Sequence, residues 1–174
     1  MELIEVVNED GLFTGDVFDR KVIYDNNLLH NKVNVFIINN KGELLLEKRS
    51  LNKRFKPGKW AVCSAHVKTG ESLEDAAVRR VNEEIGVTIK VDELVRIGDK
   101  QVIFREENSR VMYNFYVRKE IDLRKCNLLL DEVTLVKWLD LNIIVNLIKN
   151  KDKSIYFDDN KLILLLKLKD IIGK

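Results

Sequence analysis

Short apolar runs separated by turns fill most of this 174-residue chain, and two longer runs near its end have helical spacing. Runs rich in β-branched and aromatic residues are typical of strands. They occupy residues 2–7, 32–38, 43–48, 60–67, 88–97, 101–105, 111–118 and 133–139. Residues 141–149 and 160–172 are apolar at the period of a helix. This order predicts an α+β fold in which a mixed sheet is sandwiched between helices, an α/β/α arrangement.

A further helix is predicted between residues 73 and 85. The hydroxyl of Ser72 can cap its N-terminus, and Gly86 can end it by adopting a positive φ. At about 100° per residue, its apolar side chains fall on one face. These side chains are Leu73, Ala77, Val78, Val81 and Ile85. We expect this face to pack against the sheet.

Three charged residues of this helix, Arg80, Glu83 and Glu84, lie beside the apolar face rather than opposite it. An Arg80–Glu84 ion pair four residues apart would account for two of them, but such a pair contributes only about 0.2–0.5 kcal/mol. Carboxylates at the edge of a core are costly unless a cation satisfies them. The pattern therefore favours a binding site along this edge.

The composition indicates one folded domain. The hydrophobic fraction is 45%, the charged fraction 33% and the net charge +2. This charge predicts no strong attraction to nucleic acid or to a membrane. We expect one domain over residues 1–174, with an N-terminal strand extension in residues 1–28 and C-terminal helices in residues 141–174. The two cysteines, Cys63 and Cys126, are typical of a cytoplasmic protein, and the chain is compatible with a homodimer.

A basic cluster precedes the helix. Its members surround Pro57-Gly58 and are Lys48, Arg49, Lys53, Arg54, Lys56 and Lys59. Guanidinium and ammonium groups bind the negative oxygens of phosphates. A solvated, lysine-rich loop is the alternative interpretation, with about equal weight for Lys56 and Lys59.

The segment from Ala65 to Val87 resembles the Nudix box, G-x5-E-x7-R-E-U-x-E-E-x-G-U, in which U is an aliphatic residue. The matching positions are Glu71, Arg79, Val81, Glu83, Glu84, Gly86 and Val87. Two positions depart from the box, since its first glycine is Ala65 and the glutamate after its arginine is Arg80. The resemblance implies a Nudix fold and an enzyme that uses Mg²⁺ or Mn²⁺ and acts on a small-molecule diphosphate. It gives Glu71, Arg79 and Gly86 structural roles.

Within the Nudix superfamily, the layout is similar to that of isopentenyl-diphosphate isomerase. The similarity runs from Leu29-His30 through Trp60 and the box to Asp131-Glu132-Val133 and Trp138. It implies that Arg49, Lys53 and Arg80 bind the diphosphate. It places His30, His66 and Glu84 on metal-site positions, although His30 also fits a polar residue at a strand edge.

The proton-transfer pair of the isomerase is missing. Its catalytic cysteine position is Ser64, and its catalytic glutamate position is Arg110. Two further metal-site positions are Asn108 and Ile23. Cys63 is adjacent to Ser64, but neighbouring residues of a strand point to opposite faces. The sequence therefore keeps a diphosphate-binding pattern without the groups that isomerisation needs.

We therefore expect a Mg²⁺- or Mn²⁺-dependent Nudix hydrolase that cleaves a nucleoside diphosphate-type linkage. Its expected catalytic residues are Glu83, Glu84 and Glu132, and its expected metal ligands are Glu83, Glu84 and His66. An isomerase-like enzyme is one alternative. A non-catalytic module that binds a phosphorylated ligand is another, because Arg80 removes one carboxylate from the box.

Overall fold

The central strand of the sheet, β3 (His30–Ile38), is buried over most of its length, and its second half carries apolar side chains on both faces. Val33, Val35 and Ile37 belong to one hydrophobic core, whereas Phe36 and Ile38 belong to another. Because side chains alternate along a strand, the two cores lie on opposite faces of the sheet. The first core packs against one helix and the second against two, so the predicted α/β/α sandwich is confirmed.

The computed structural model describes residues 1–173. The other strands are β1 (Leu3–Val7), β2 (Phe13–Asp19), β4 (Glu43–Arg49), β5 (Trp60–Ala61), β6 (Cys63–His66), β7 (Val95–Arg96), β8 (Gln101–Ile103), β9 (Arg110–Arg118) and β10 (Val133–Asp140). The helices are α1 (Arg20–Asp25), α2 (Leu73–Ile85), α3 (Leu141–Lys149) and α4 (Asp159–Ile172). No helix within residues 1–173 has the length and apolar character needed to cross a membrane.

Strand pairing around β3 opens the sheet at one end. On one side, β9 runs parallel to β3 from the pair His30–Arg110 to the pair Ile38–Arg118. On the other side, β4 pairs with β3 only at Ile38–Leu44, and then diverges to pair with β5 and β10. Strand β6 takes the vacated position beside β3. The predicted single strand over residues 60–67 is therefore interrupted at Val62, because its two halves pair with different strands.

Two other sequence predictions differ from the structure. The segment 13–25, for which no element was predicted, forms β2 and α1; β2 is mostly exposed and depends on pairing with β1 rather than on burial. The strand predicted over residues 88–97 is wrong. Residues Val91–Glu93 form a 3-10 turn in which the Glu93 carboxylate accepts a hydrogen bond from the backbone N–H of Lys90 at 2.6 Å. Only Val95–Arg96 pairs with the sheet.

Helix α2 has the predicted bounds and ends at Gly86. This glycine has a φ of +71°, and a Cβ there would lie 2.8 Å from the Cβ of Asn127. Gly70 has a similar φ of +76°, but a Cβ at Gly70 would have no neighbouring atom within 4 Å. Comparing substitutions at the two glycines therefore distinguishes the cost of backbone strain from the cost of steric overlap.

We expect Gly86→Ala to lower the free energy of unfolding by about 2 kcal/mol or more, because it combines left-handed strain with overlap. Gly70→Ala should cost only the strain, about 1 kcal/mol. Urea denaturation of both variants and the wild type measures the difference. If both variants lost the same free energy of unfolding, the overlap with Asn127 would add no cost at the end of the helix.

Candidate functional site

Helix α2 is held in place by its caps and its apolar face. The Ser72 hydroxyl accepts a hydrogen bond from the backbone N–H of Asp75 at 3.0 Å, as the sequence predicted. Its fully buried residues Ala76, Ala77, Val81 and Ile85 contact the sheet. This packing fixes the direction in which the charged residues at the edge of the helix point.

A partly buried ion pair fixes the loop before α2. Arg79 donates to both carboxylate oxygens of Glu71, at 2.6 and 3.0 Å, and to the carbonyl oxygen of His66 at 3.0 Å. Glu71 also accepts a hydrogen bond from the backbone N–H of Lys68. The loop, the end of β6 and the helix are thus joined through one guanidinium.

Arg80 bridges two carboxylates on neighbouring elements. Its Nη2 lies 2.6 Å from Glu84 Oε1 and 2.6 Å from Glu132 Oε2. Glu132 also pairs with the ammonium group of Lys53. Burial alone would raise the pKa of Glu132, but Lys53 and Arg80 hold it below its usual range. Glu132 is therefore a carboxylate at neutral pH.

Behind this bridge, Glu84 lies next to Glu47 and Cys63. One ligand atom from each of the three residues lies within 4.8 Å of the others, and no other such group of three is found in residues 1–173. Glu47 is 4% exposed and Glu84 is 5% exposed. Neither Glu47 Oε1 nor Glu84 Oε2 has a hydrogen-bond partner in the described part of the chain. Two adjacent carboxylates with free oxygens form a pair that a cation would stabilise.

The charge states in this cluster follow from burial. Desolvation, followed by the nearby charge of Glu84, raises the pKa of Glu47 well above its usual value. Desolvation also raises the pKa of the Cys63 thiol, so it stays protonated. Glu47 was not predicted from the sequence as a site residue. Its signal is a single carboxylate after Leu44-Leu45-Leu46, in a strand that is buried on both faces.

A cavity of about 340 Å³ opens beside Glu84, and nine Lys or Arg side chains line it against four Asp or Glu side chains. Arg49, Lys53 and Arg80 all lie in its wall. The Nε and Nη2 of Arg49 donate to the carbonyl oxygen of Phe55, at 3.0 and 2.7 Å. The structure therefore brings the three predicted diphosphate-binding residues together in one space.

Three more cations line this cavity, although nothing in the sequence grouped them: Lys32, Arg110 and Lys161. Arg110 is 5% exposed, and Lys161 is 8% exposed with its Nζ 4.6 Å from the ring centre of Tyr156. Burial lowers the pKa of Lys161 to about 8. The negative charge of Asp158 raises this pKa, whereas the positive charges of Arg110 and Arg49 lower it further. Burial, and then repulsion by Arg110, also lowers the pKa of Lys32. The cavity is thus suited to an anion.

A family model described as NUDIX domain matches residues 28–159. The chain belongs to the Nudix family. Its fold agrees with this, because the NUDIX domain of Shewanella oneidensis NrtR superposes with a TM-score of 0.60 at 18% identity, covering 86% of this chain and 92% of the other. The DR0079 protein of Deinococcus radiodurans superposes with a TM-score of 0.75 at 20% identity, covering 96% of this chain and 99% of the other.

Relatives of this Nudix protein are named either as isopentenyl-diphosphate isomerases or as Nudix hydrolases. An isopentenyl-diphosphate Delta-isomerase of Shigella flexneri is 36% identical over 148 residues, which cover 80% of this chain and 78% of the relative. An uncharacterised Nudix hydrolase of Clostridium acetobutylicum is 30% identical over 131 residues, covering 73% of this chain and 57% of the relative. The chain spans about half the length of several isomerases that it matches. The family is thus shown, and the reaction is left open.

Two residues that the sequence grouped with Glu84 lie elsewhere in this Nudix site. Glu83 lies outside the cavity wall and pairs with Arg79 at 3.1 Å and with Arg80 at 3.6 Å. It points away because it is one residue, about 100°, from Glu84 on the helix. His66 lines the cavity, but its Nε2 lies 2.5 Å from the hydroxyl oxygen of Tyr24. The structure therefore groups Glu84 with Glu47 and Cys63, not with Glu83 and His66.

The isomerase-like positions lie on three adjacent strands of the cavity floor. Ser64 of β6 pairs with Asn34 of β3, and Arg110 of β9 pairs with His30. Two strand spacings of about 4.8 Å across β3 and four residues of about 3.3 Å each along it separate the Cα atoms of Ser64 and Arg110 by roughly 16 Å. Ser64 lines the cavity, whereas Cys63 belongs to the core on the other face. His30 is the first residue of the central strand, where it is fully buried and its Nδ1 lies 2.9 Å from the carbonyl oxygen of Leu28.

The lowered pKa of Lys161 makes stability depend on pH. The unfolded chain keeps this proton up to about pH 10.5, whereas the folded protein releases it near pH 8. In that window the unfolded state binds more protons, so the free energy of unfolding should rise with pH, by up to about 1.4 kcal/mol per unit.

Chemical denaturation at pH 7.5 and 9.5 tests this with Lys161→Met, which should lose the share of the rise that Lys161 contributes, whereas Lys32 keeps its own share. Lys167→Met, an exposed lysine of the same helix, should keep it. The same pH dependence in wild type and Lys161→Met would mean that the ammonium group is not desolvated.

Proposed function

We propose that this Nudix protein is a hydrolase that cleaves the diphosphate linkage of a nucleoside diphosphate-type substrate. The observation that carries the proposal is the position of Glu84. It lies in the wall of a basic cavity, 2.6 Å from Arg80, and it keeps one free oxygen beside Glu47. A carboxylate pair that would bind a cation thus reaches the phosphate-binding cations through Glu84, while Glu47 lies behind the cavity wall.

The carboxylate pair fits the divalent cation that the family implies. Mg²⁺ and Mn²⁺ prefer oxygen ligands, and the free oxygens of Glu47 and Glu84 are of this kind. When bound there, the ion would neutralise phosphate oxygens and make a water molecule more acidic. The Cys63 thiol stays neutral and is a poor ligand for such hard ions. Glu47 would thereby compensate for the carboxylate that Arg80 replaces in the box.

Arg49, Lys53 and Arg80 would bind the diphosphate. Glu132 at present accepts the hydrogen bonds of both Lys53 and Arg80. Diphosphate oxygens that took over these donors would release the Glu132 carboxylate. Freed from its two cations, Glu132 would become a better proton acceptor for the attacking water, because its pKa would no longer be held low.

An isomerase-like activity is the second candidate, and the named isomerases among the relatives favour it. Allylic isomerisation needs a proton donor and a proton acceptor on opposite sides of the substrate. The guanidinium of Arg110 offers no atom that accepts a proton, and a lone serine is a poor acid or base. A binding module is a weaker candidate, because Glu47 restores a second carboxylate next to Glu84.

A substrate panel distinguishes these functions. The full chain is incubated with nucleoside, sugar and prenyl diphosphates in Mg²⁺ or Mn²⁺, while phosphate products and double-bond migration are followed. We expect phosphate products, and no interconversion of isopentenyl and dimethylallyl diphosphate in wild type or in Cys63→Ala. Deuterium uptake from solvent into isopentenyl diphosphate that depends on Cys63 would overturn the hydrolase proposal.

The role of Glu84 predicts a large kinetic effect. Glu84→Gln keeps the volume but removes the negative charge, so kcat on the substrate found in the panel should fall by more than about tenfold, at least about 1.4 kcal/mol of barrier. Glu47→Gln should act in the same direction by raising the metal concentration needed for half activity.

Glu83→Gln is the matched comparison, since it makes the same change one residue away and outside the cavity wall. Its loss should be clearly smaller than that of Glu84→Gln. A wild-type rate in Glu84→Gln at saturating metal would refute the role of Glu84.

A further inference from the structure

Three cations in the cavity wall have no counter-ion among the described residues. Lys32, Arg110 and Lys161 form no salt bridge with any described carboxylate, whereas Lys53 and Arg80 do. Arg110 donates to the carbonyl oxygen of Asn108 at 2.9 Å, but its buried Nε has no acceptor within residues 1–173. Arg110 and Lys161 are buried and Lys32 is half-buried. Buried charges are normally paired, so this set lacks a partner.

The three cations converge from different parts of the fold. Lys32 of β3 and Arg110 of β9 lie on the same face of neighbouring parallel strands, because Lys32 pairs with Met112, two residues beyond Arg110. Lys161 comes from the first turn of α4, and its ammonium group lies over the rings of Tyr156 and Phe157, at 4.6 and 5.5 Å. All three line the same cavity as Glu84. A helix and two strands thus bring positive charge to one place despite its repulsion.

The geometry points to a second anion subsite at Lys32, Arg110 and Lys161, which takes a phosphoryl group beyond the diphosphate bound by Arg49, Lys53 and Arg80. This inference rests on the proposed function for the position of the diphosphate. It narrows the substrate class to compounds with a further phosphate. An apolar tail in this space would leave three cations with no partner, so prenyl diphosphates fit it poorly.

Calorimetric titration of the full chain in EDTA tests the subsite without turnover. The probes are inorganic phosphate, diphosphate, triphosphate and isopentenyl diphosphate. The variants are Arg110→Met and Lys161→Met. The matched controls are Arg118→Met, on the same strand as Arg110, and Lys167→Met, on the same helix as Lys161; both controls are exposed and outside the cavity.

We expect wild type to bind triphosphate at least about tenfold more tightly than isopentenyl diphosphate. Arg110→Met and Lys161→Met should each weaken triphosphate by about tenfold and change isopentenyl diphosphate by about twofold or less. They should leave the ligand-free melting temperature unchanged or higher, because a methionine removes an unpaired buried charge. A purely structural arginine would instead lower it.

The two sources of the phosphoryl group give different results. If inorganic phosphate binds by itself and Arg110→Met weakens that binding, the subsite takes a free phosphate ion. If Arg110→Met weakens the binding of triphosphate only, the subsite takes a phosphoryl group of the substrate. Both results support the subsite. Equal weakening of triphosphate and isopentenyl diphosphate, or no weakening of any probe, would overturn it. The titration involves neither metal nor catalysis. Its result can therefore be interpreted even if the protein proves not to be a hydrolase.

Discussion

Arg80 lies between two carboxylates, and its Nη2 is 2.6 Å from an oxygen of each. One carboxylate, Glu84, is on the same helix, and the other, Glu132, precedes β10. The contact therefore fixes α2 against the loop that leads into β10. The buried Glu84 keeps a charged partner only through this arginine, since its other neighbours are Glu47 and a neutral thiol. The geometry of the site depends on this one guanidinium.

Because Arg80 stands where the box has a glutamate, a second carboxylate next to Glu84 has to come from outside the box. A box glutamate at this position would add a carboxylate to the helix edge, whereas Arg80 places a guanidinium in the cavity wall. Glu47, from a strand outside the box, supplies an oxygen donor next to Glu84. Glu84 then lies in the wall of the cavity with Glu47 behind it, and unpaired cations line another part of that wall. Such a division of charge suits a substrate that is itself strongly anionic.

The parts of the site that could be predicted from sequence are those set by local geometry. Ser72 and Gly86 mark the ends of α2, and the helical period places Glu84 closer than Glu83 to the apolar face. Glu47 was missed because its burial requires pairing with β5 and β10 as well as packing by α2. Lys161 was missed because α4 was predicted as a helix, but its position over the cavity depends on packing far along the chain. The failed strand at residues 88–97 has the same cause: its apolar residues meet no partner strand before Val95.

Anomalous diffraction from crystals grown with Mn²⁺ is the most direct measurement of the metal site. The account predicts a Mn²⁺ peak between the carboxylates of Glu84 and Glu47, and the loss of that peak in Glu47→Gln. A peak at Glu83 and His66, or one that is unchanged in Glu47→Gln, would contradict it.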